Sequence, residues 1–252
     1  VATKDGLNRY DGYDFKVFTN DPYDPWSLSS NTIVCLYEDR KGRIWAGTEN
    51  SGLNVYDKKT GRFLRIQHRP EDATSLSGNR ISTIGEDTLG QILVGVYKGG
   101  LNVIGLPESF IHSGSAPMIR RKQVPGDQNV TGIALDGQGR SWISGTDKIY
   151  RFDPATTTLS EAFKGYSFTT YCRDNSKAIF AGSDLLGIFW FDGNRIVTLD
   201  SSILLIKKIW IDADRRLWIN QIYGLYALVL KPWTQRQNPA PPRFRPKRLL
   251  EK

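Results

Sequence analysis

The chain has 252 residues, enough to bury a substantial core in one domain, and its 39% hydrophobic and 12% aromatic content belongs to a globular protein rather than a disordered one. Its formal charge of +8 is concentrated in residues 231–252, where seven Lys and Arg face the single acid Glu251, so +6 of it sits in the tail and the body is nearly neutral. That distribution excludes nucleic-acid binding as the main function, and apolar runs of only a few residues, far short of the roughly 20 a spanning helix needs, exclude a membrane-crossing helix.

In chain order, Val1-Ala2-Thr3 reads as the end of a strand, residues 4–11 as a second strand and 13–18 as a third. Residues 33–37, 44–46 and 53–56 then form three more apolar runs separated by Asp- and Gly-containing turns, with a further run at Phe63–Ile66. The same succession returns, with last strands expected at Met118–Gln123, Leu159–Phe163 and Arg195–Leu199. No helical period of similar length competes with it.

The recurrence is a repeat. Asp39, Asp87, Asp136, Asp174 and Asp212 fall at separations of 48, 49, 38 and 38 residues, and Trp45, Leu93, Trp142, Phe180 and Trp218 each lie six residues later. An Asp opening a tight turn accepts backbone N–H groups just ahead of it, and Gly42, Gly90 and Gly139 supply a residue free to take positive φ. Lys177 and Arg215 hold that slot in the last two units, whose turns are expected to be less regular. The large residue of the second strand reads as a plug between neighbouring sheets, because aromatics and Leu bury much area each.

All-β units of this length with four strands are the signature of a β-propeller of four-stranded antiparallel blades. Three divisions follow: residues 1–18 as the second half of a preceding blade, 19–230 as about five repeat units, and 231–252 as a proline-rich basic linker or tail. Since Val1-Ala2-Thr3 aligns with Ala46-Gly47-Thr48, the chain opens halfway through a blade. With no initiating Met, and with unit five expected to supply only three strands, an incomplete ring or an excerpt of a larger one is expected. The start also lacks the basic-then-apolar pattern of a signal peptide.

Two inter-blade connections, residues 21–31 and 69–79, both end Ser-Leu-Ser-x-Asn, and their Leu is expected to pack under the loop while Ser and Asn tie backbone groups. Cys35 and Cys172 lie on strands of different units without CxxC spacing and read as buried free thiols. His68 and His112 stand in separate loops, so neither a metal nor a cofactor is expected.

The runs Gly6-Leu7-Asn8-Arg9-Tyr10-Asp11 and Gly52-Leu53-Asn54-Val55-Tyr56-Asp57, the two Ser-Leu-Ser-x-Asn loops, and Glu38-Asp39 followed by Gly42 and Ile44-Trp45-Ala46-Gly47-Thr48 resemble the two-component regulator propeller repeat. The likeness is closest over residues 1–104, looser over 130–230 and absent beyond. The resemblance implies a periplasmic sensor region of a bacterial hybrid two-component histidine kinase, often for carbohydrate breakdown products. It implies no kinase activity in this stretch, which has no nucleotide-binding glycine motif and no receiver domain.

A propeller gathers its fourth-to-first and second-to-third connections on one face, so residues 19–32, 67–80, 96–100, 183–187 and 221–223 are expected together. Tyr23, Trp26, Arg69, Tyr97, Lys98, Asp184 and Tyr223 are the ligand-binding candidates among them, for an oligosaccharide or other small molecule. No catalytic residue is assigned. The alternatives are a propeller lyase or glycosidase, for which Asp184 and Glu71 would be the carboxylates to test, and a protein-docking or homodimerisation module.

Overall fold

The computed structural model describes residues 1–106, 117–173, 179–222, 224–229 and 247–248, with the side chains of 228, 229, 247 and 248 left aside. Asp174, Lys177, His112, Tyr223 and the tail segment 231–246 lie outside the described residues.

Alternating apolar residues bounded by Gly- and Asp-rich turns make every described element a strand, and these form six small antiparallel sheets arranged as a six-bladed propeller. Blade 1 contains β1 (Ala2–Thr3), β2 (Gly6–Tyr10) and β3 (Phe15–Phe18). Blade 2 contains β4 (Ile33–Glu38), β5 (Ile44–Thr48), β6 (Leu53–Tyr56) and β7 (Phe63–Ile66). Blade 3 contains β8 (Ile81–Glu86), β9 (Ile92–Val96), β10 (Gly100–Gly105) and β11 (Met118–Lys122). Blade 4 contains β12 (Gly132–Leu135), β13 (Ser141–Ser144), β14 (Lys148–Asp153) and β15 (Thr158–Lys164). Blade 5 contains β16 (Thr170–Arg173), β17 (Ile179–Ser183), β18 (Gly187–Phe191) and β19 (Ile196–Asp200). Blade 6 contains β20 (Ile206–Ile211), β21 (Arg216–Gln221), β22 (Gly224–Val229) and β23 (Lys247–Arg248).

The strand limits expected from the sequence are those observed to within a residue or two. The last sheet differs: Tyr226 pairs with Arg248 and Ala227 with Lys247, so two residues from the expected linker supply a fourth strand. Nothing in that Pro- and Arg-rich stretch has strand periodicity, and an open edge on β22 is what selects it.

The hydrophobic core is divided among the junctions. One cluster joins each consecutive pair of blades, from Leu7, Leu28, Tyr56 and Phe63 at the first junction to Phe180, Trp190, Ile209 and Leu217 at the fifth. The plug residues Trp45, Leu93, Trp142 and Phe180 are all buried in these clusters, each aimed at the following blade. At about 25 cal/mol per Å² of apolar surface, each buried ring contributes a few kcal/mol, so the blades hold one another rather than standing alone.

The two Ser-Leu-Ser-x-Asn loops are ordered by the blade they precede. Leu28 and Leu76 are fully buried. Ser29 N–H donates to Asn54 Oδ1 at 2.9 Å and Asn54 Nδ2 donates back to Ser29 Oγ at 2.9 Å, and Ser77 and Asn102 repeat the exchange at 3.0 and 2.7 Å. Arg65 Nε donates to Ser27 O and Arg121 Nε to Ser75 O, at 3.0 and 2.9 Å. These bonds lash each loop along the outer strand, and Phe63 N–H donates to Trp26 O at 2.7 Å, so the loop caps an edge that would otherwise invite pairing.

Arg215 takes φ +60° where Gly42, Gly90 and Gly139 take +73°, +76° and +79°. The turn it closes is nonetheless regular, with Arg215 N–H donating to Asp212 O at 3.1 Å as Gly42 N–H does to Asp39 O at 2.8 Å. The departure expected there is one of backbone strain, not of hydrogen bonding. Both cysteines are partly buried, and burial pushes the Cys35 thiol up to about 12.

Candidate functional site

Two of the expected binding residues come together at the short connection from β9 to β10. Only Tyr97, Lys98 and Gly99 span it, and Gly99 N–H closes the turn on Val96 O at 3.0 Å. This tight reversal puts Lys98 at φ +55°, a left-handed conformation that costs a non-glycine residue about 1–2 kcal/mol, and Asn129 Oδ1 holds its N–H at 3.1 Å.

Pairing of Ile81 with Val96 carries Arg80 across to Tyr97, whose N–H donates to Arg80 O at 2.9 Å. The Arg80 guanidinium then lies 4.3 Å from the Tyr97 ring centroid, and Lys98 Nζ lies 5.6 Å from it. Tyr97 is 44% exposed, and neither cation has a carboxylate partner among the described residues. Two unneutralised cations on one ring form an anion-seeking surface, with the Arg fork able to meet a carboxylate in two parallel hydrogen bonds. Arg80 was not among the sequence candidates. Its place depends on a register that shifts between Ile81 and Thr83, which residue spacing does not reveal.

Of the other candidates, Tyr223 lies outside the described residues and Trp26 stands apart from this cluster. Trp26 is carried away from it: its carbonyl meets Phe63 at the start of β7, and Arg62 of the turn before β7 lies 5.2 Å from its ring. That is the end of blade 2 opposite to Ile33 and Ile66, so Trp26 does not share a face with Tyr97. The expectation failed because the connection 19–32 descends along the outer strand instead of arching over the top. Tyr23, on the same connection, is 96% exposed, its N–H donating to Asp21 Oδ1 at 2.9 Å. Arg69 is paired with Asp72 at 2.7 Å. Asp184 lies 3.7 Å from Lys207, with its Oδ1 enclosed and accepting no hydrogen bond.

Three of the repeated aspartates, Asp39, Asp136 and Asp212, are absorbed by structure. Asp39 Oδ2 accepts Arg43 Nε at 2.6 Å and Trp45 Nε1 at 2.8 Å; Asp136 does the same with Arg140 and Trp142 at 2.6 and 3.0 Å, and Asp212 with Arg216 and Trp218 at 2.6 and 2.7 Å. Burial alone would raise these carboxyls, but the hydrogen bonds from Trp, Arg and backbone N–H groups outweigh it and hold all three below the ordinary range, Asp212 at about 2. Such groups stay ionised near neutrality and are poorly suited to general-acid work.

Residues 27–50, from the first Ser-Leu-Ser loop through the Asp39 turn and Trp45, match the two component regulator propeller family. That stretch is one repeat of the kind the family is built from. A search of curated proteins returns no match. Among solved structures, the repeat-bearing chain is similar to the extracellular domain assigned to a hybrid two component system of B. thetaiotaomicron, with 19% identity and a TM-score of 0.68 over 96% of this chain and 35% of that one. It is similar to PorZ, a surface component of the type-IX secretion system of Porphyromonas gingivalis, at 12% identity and a TM-score of 0.68, over 90% of this chain and 36% of that one. Virginiamycin B lyase from Staphylococcus aureus gives 16% identity and a TM-score of 0.65, over 90% and 75% of the two chains. At these identities the likeness is one of fold. The chain spans about a third of the length of the sensor domain and of PorZ.

Proposed function

We propose that this chain is a non-enzymatic, extracytoplasmic sensing segment of a two-component signalling protein, and that its blade 3 loop engages an acidic carbohydrate fragment. The regulator propeller repeat at residues 27–50 supports the sensor reading. The observation that carries the ligand class is the Arg80–Tyr97–Lys98 cluster, whose two cations lack carboxylate partners among the described residues. An exposed aromatic with flanking donors suits a sugar bearing a carboxylate: the acid meets the guanidinium and ammonium while the ring edge and phenol meet the pyranose. Binding here needs no protonation change, in keeping with a site that recognises rather than transforms its ligand.

Calorimetry with uronic-acid oligosaccharides, against neutral oligosaccharides of the same length, tests the reading. Heat with the acidic series, falling at least about tenfold in affinity for Arg80→Ala and Lys98→Ala, is the expected result, since a charge-assisted pair contributes about 1.5–3 kcal/mol. Equal binding by both series, or none by either, rejects the acidic ligand. Turnover of any member of the series rejects the non-enzymatic reading.

A further inference from the structure

The seam between blades 2 and 3 brings an acidic side chain to the candidate site. Gly52 N–H donates to Asn79 O at 2.8 Å and Gly100 N–H to Gln128 O at 2.9 Å, so the turn from β5 to β6 abuts the entry to blade 3 just as the turn from β9 to β10 abuts the entry to blade 4. Within a blade the entry also meets that blade's own turn: Glu49 N–H donates to Thr32 O at 3.2 Å and Tyr97 N–H to Arg80 O at 2.9 Å. Glu49 therefore corresponds to Tyr97, Asn50 to Lys98, and Arg80 to Asn129, the residue that follows Gln128.

This correspondence locates the Arg80 side chain. Asn129 extends to the turn of the preceding blade, its Oδ1 accepting Lys98 N–H at 3.1 Å. Arg80 leaves the same position one blade earlier, so it stands at the seam, with Glu49 and Asn50 of blade 2 on one side and Tyr97 and Lys98 of blade 3 on the other. Close packing keeps that seam narrow. A Cβ on Gly47 would lie 2.7 Å from Ile81 Cγ2, and Thr48 Oγ1 closes the blade 2 turn by donating to Gly52 O at 2.7 Å and accepting Ser51 N–H at 2.9 Å. Glu49 is exposed and, among the described residues, has no ion pair. The guanidinium across the seam lies on the Tyr97 ring instead.

The architecture requires neither charge. Thr32 in blade 2 and Asn129 in blade 4 hold the position of Arg80, Tyr97 in blade 3 holds the position of Glu49, and the backbone hydrogen bonds of blades 2 and 3 are the same. We infer that the ligand of this face is a zwitterion: an acidic sugar bearing a free, protonated amino group, whose carboxylate meets Arg80 and Lys98 and whose ammonium meets Glu49. The inference rests on the acidic-ligand reading above and narrows it. An ammonium makes Glu49 a charge-assisted acceptor, whereas a second carboxylate on the ligand meets like charge there, so one residue favours the zwitterion and disfavours the dianion.

Calorimetry with three oligosaccharides of equal length tests the inference: an amino-hexuronate with its amine free, the N-acetyl derivative of the same sugar, and the plain hexuronate, all at a pH where the amine is protonated. The wild-type chain is expected to bind the free-amine form at least about tenfold more tightly than either of the others. Glu49→Gln is expected to abolish that preference while binding the plain hexuronate as tightly as wild type or more so, because it removes a charge that only repels this ligand. Arg80→Ala should weaken all three. An unchanged melting temperature shows that Glu49→Gln is folded, as an exposed position predicts. Equal binding of the three by wild type overturns the inference and leaves the acidic reading standing, and a free-amine preference that survives Glu49→Gln overturns it as well. Binding of none of the three rejects the acidic reading, and the zwitterion with it.

Discussion

Trp45 Nε1 donates to Asp39 Oδ2 at 2.8 Å, joining the plug of blade 2 to the turn that introduces its strand. The same carboxylate accepts Arg43 Nε, and its Oδ1 accepts the N–H groups of Lys41 and Arg43. One side chain thereby shapes a turn, orients an indole and neutralises a cation that lies 5.7 Å over that indole. The same bond recurs from Trp142 to Asp136 and from Trp218 to Asp212, whereas Leu93 keeps the six-residue spacing with no N–H to donate.

Removing the carboxylate should therefore cost more than one hydrogen bond. Asp39→Ala leaves the indole N–H, a guanidinium and two backbone donors without their acceptor in a buried place, and is expected to destabilise by about 3 kcal/mol. Asp39→Asn, which retains one acceptor, should cost less. Urea denaturation followed by tryptophan fluorescence reads both, and a loss under about 0.5 kcal/mol for Asp39→Ala would contradict the triad's role.

The pH dependence has a definite sign. Asp39, Asp136 and Asp212 are depressed in the folded state from 3.8, so the unfolded chain binds more protons in acid. Their contribution is fully present above the unfolded value of 3.8 and is lost as pH falls through the folded values, about 2 for Asp212. Melting temperature should fall between about pH 4 and pH 2, and Asp136→Asn should flatten that fall while lowering stability at neutral pH. A melting temperature that rises on acidification through this window would reverse the assignment.

The Ser-Leu-Ser loops are expected to behave as part of the core. Leu76→Ala empties a site with no exposure, between Trp45 and Ile81, and should cost about 2–5 kcal/mol. Arg121→Ala removes the clasp on Ser75 and Asp72 and should mainly loosen residues 69–76. Limited proteolysis is the readout: new cleavage within the loop for Arg121→Ala, at little change in global melting, separates local release from general unfolding.

Arg215 offers a gain. It adopts φ +60° where three other units use glycine, so Arg215→Gly should relieve strain and stabilise by about 1 kcal/mol, less whatever its side-chain contacts contribute. The reverse change at a related reversal, Gly187→Ala, should be severe, because a Cβ there would sit 2.0 Å from Asp200 O at φ +79°. Thermal melts of the two variants moving in the same direction would refute the backbone argument.

Most of the fold was legible in the residues. Period-two alternation and the turn Asp and Gly mark strands locally, and recurrence at 38 to 49 residues multiplies each weak signal, so blade limits and plugs needed no coordinates. The candidate site was far less legible. Tyr97 and Lys98 are neighbours in the chain, but Arg80 reaches them only through a bulged pairing, and Trp26 leaves them because Arg65 and the edge of β7 pull its connection outward.

The sequence by itself determined what each unit is: a small antiparallel sheet with one buried plug, fixed by interactions a few residues apart. Which faces those sheets cover was decided by tertiary structure alone. Trp45 and Trp218 sit in the same local pattern with the same hydrogen bond to aspartate, yet Trp45 is buried against blade 3 while Trp218, with no further sheet beside it among the described residues, is partly exposed.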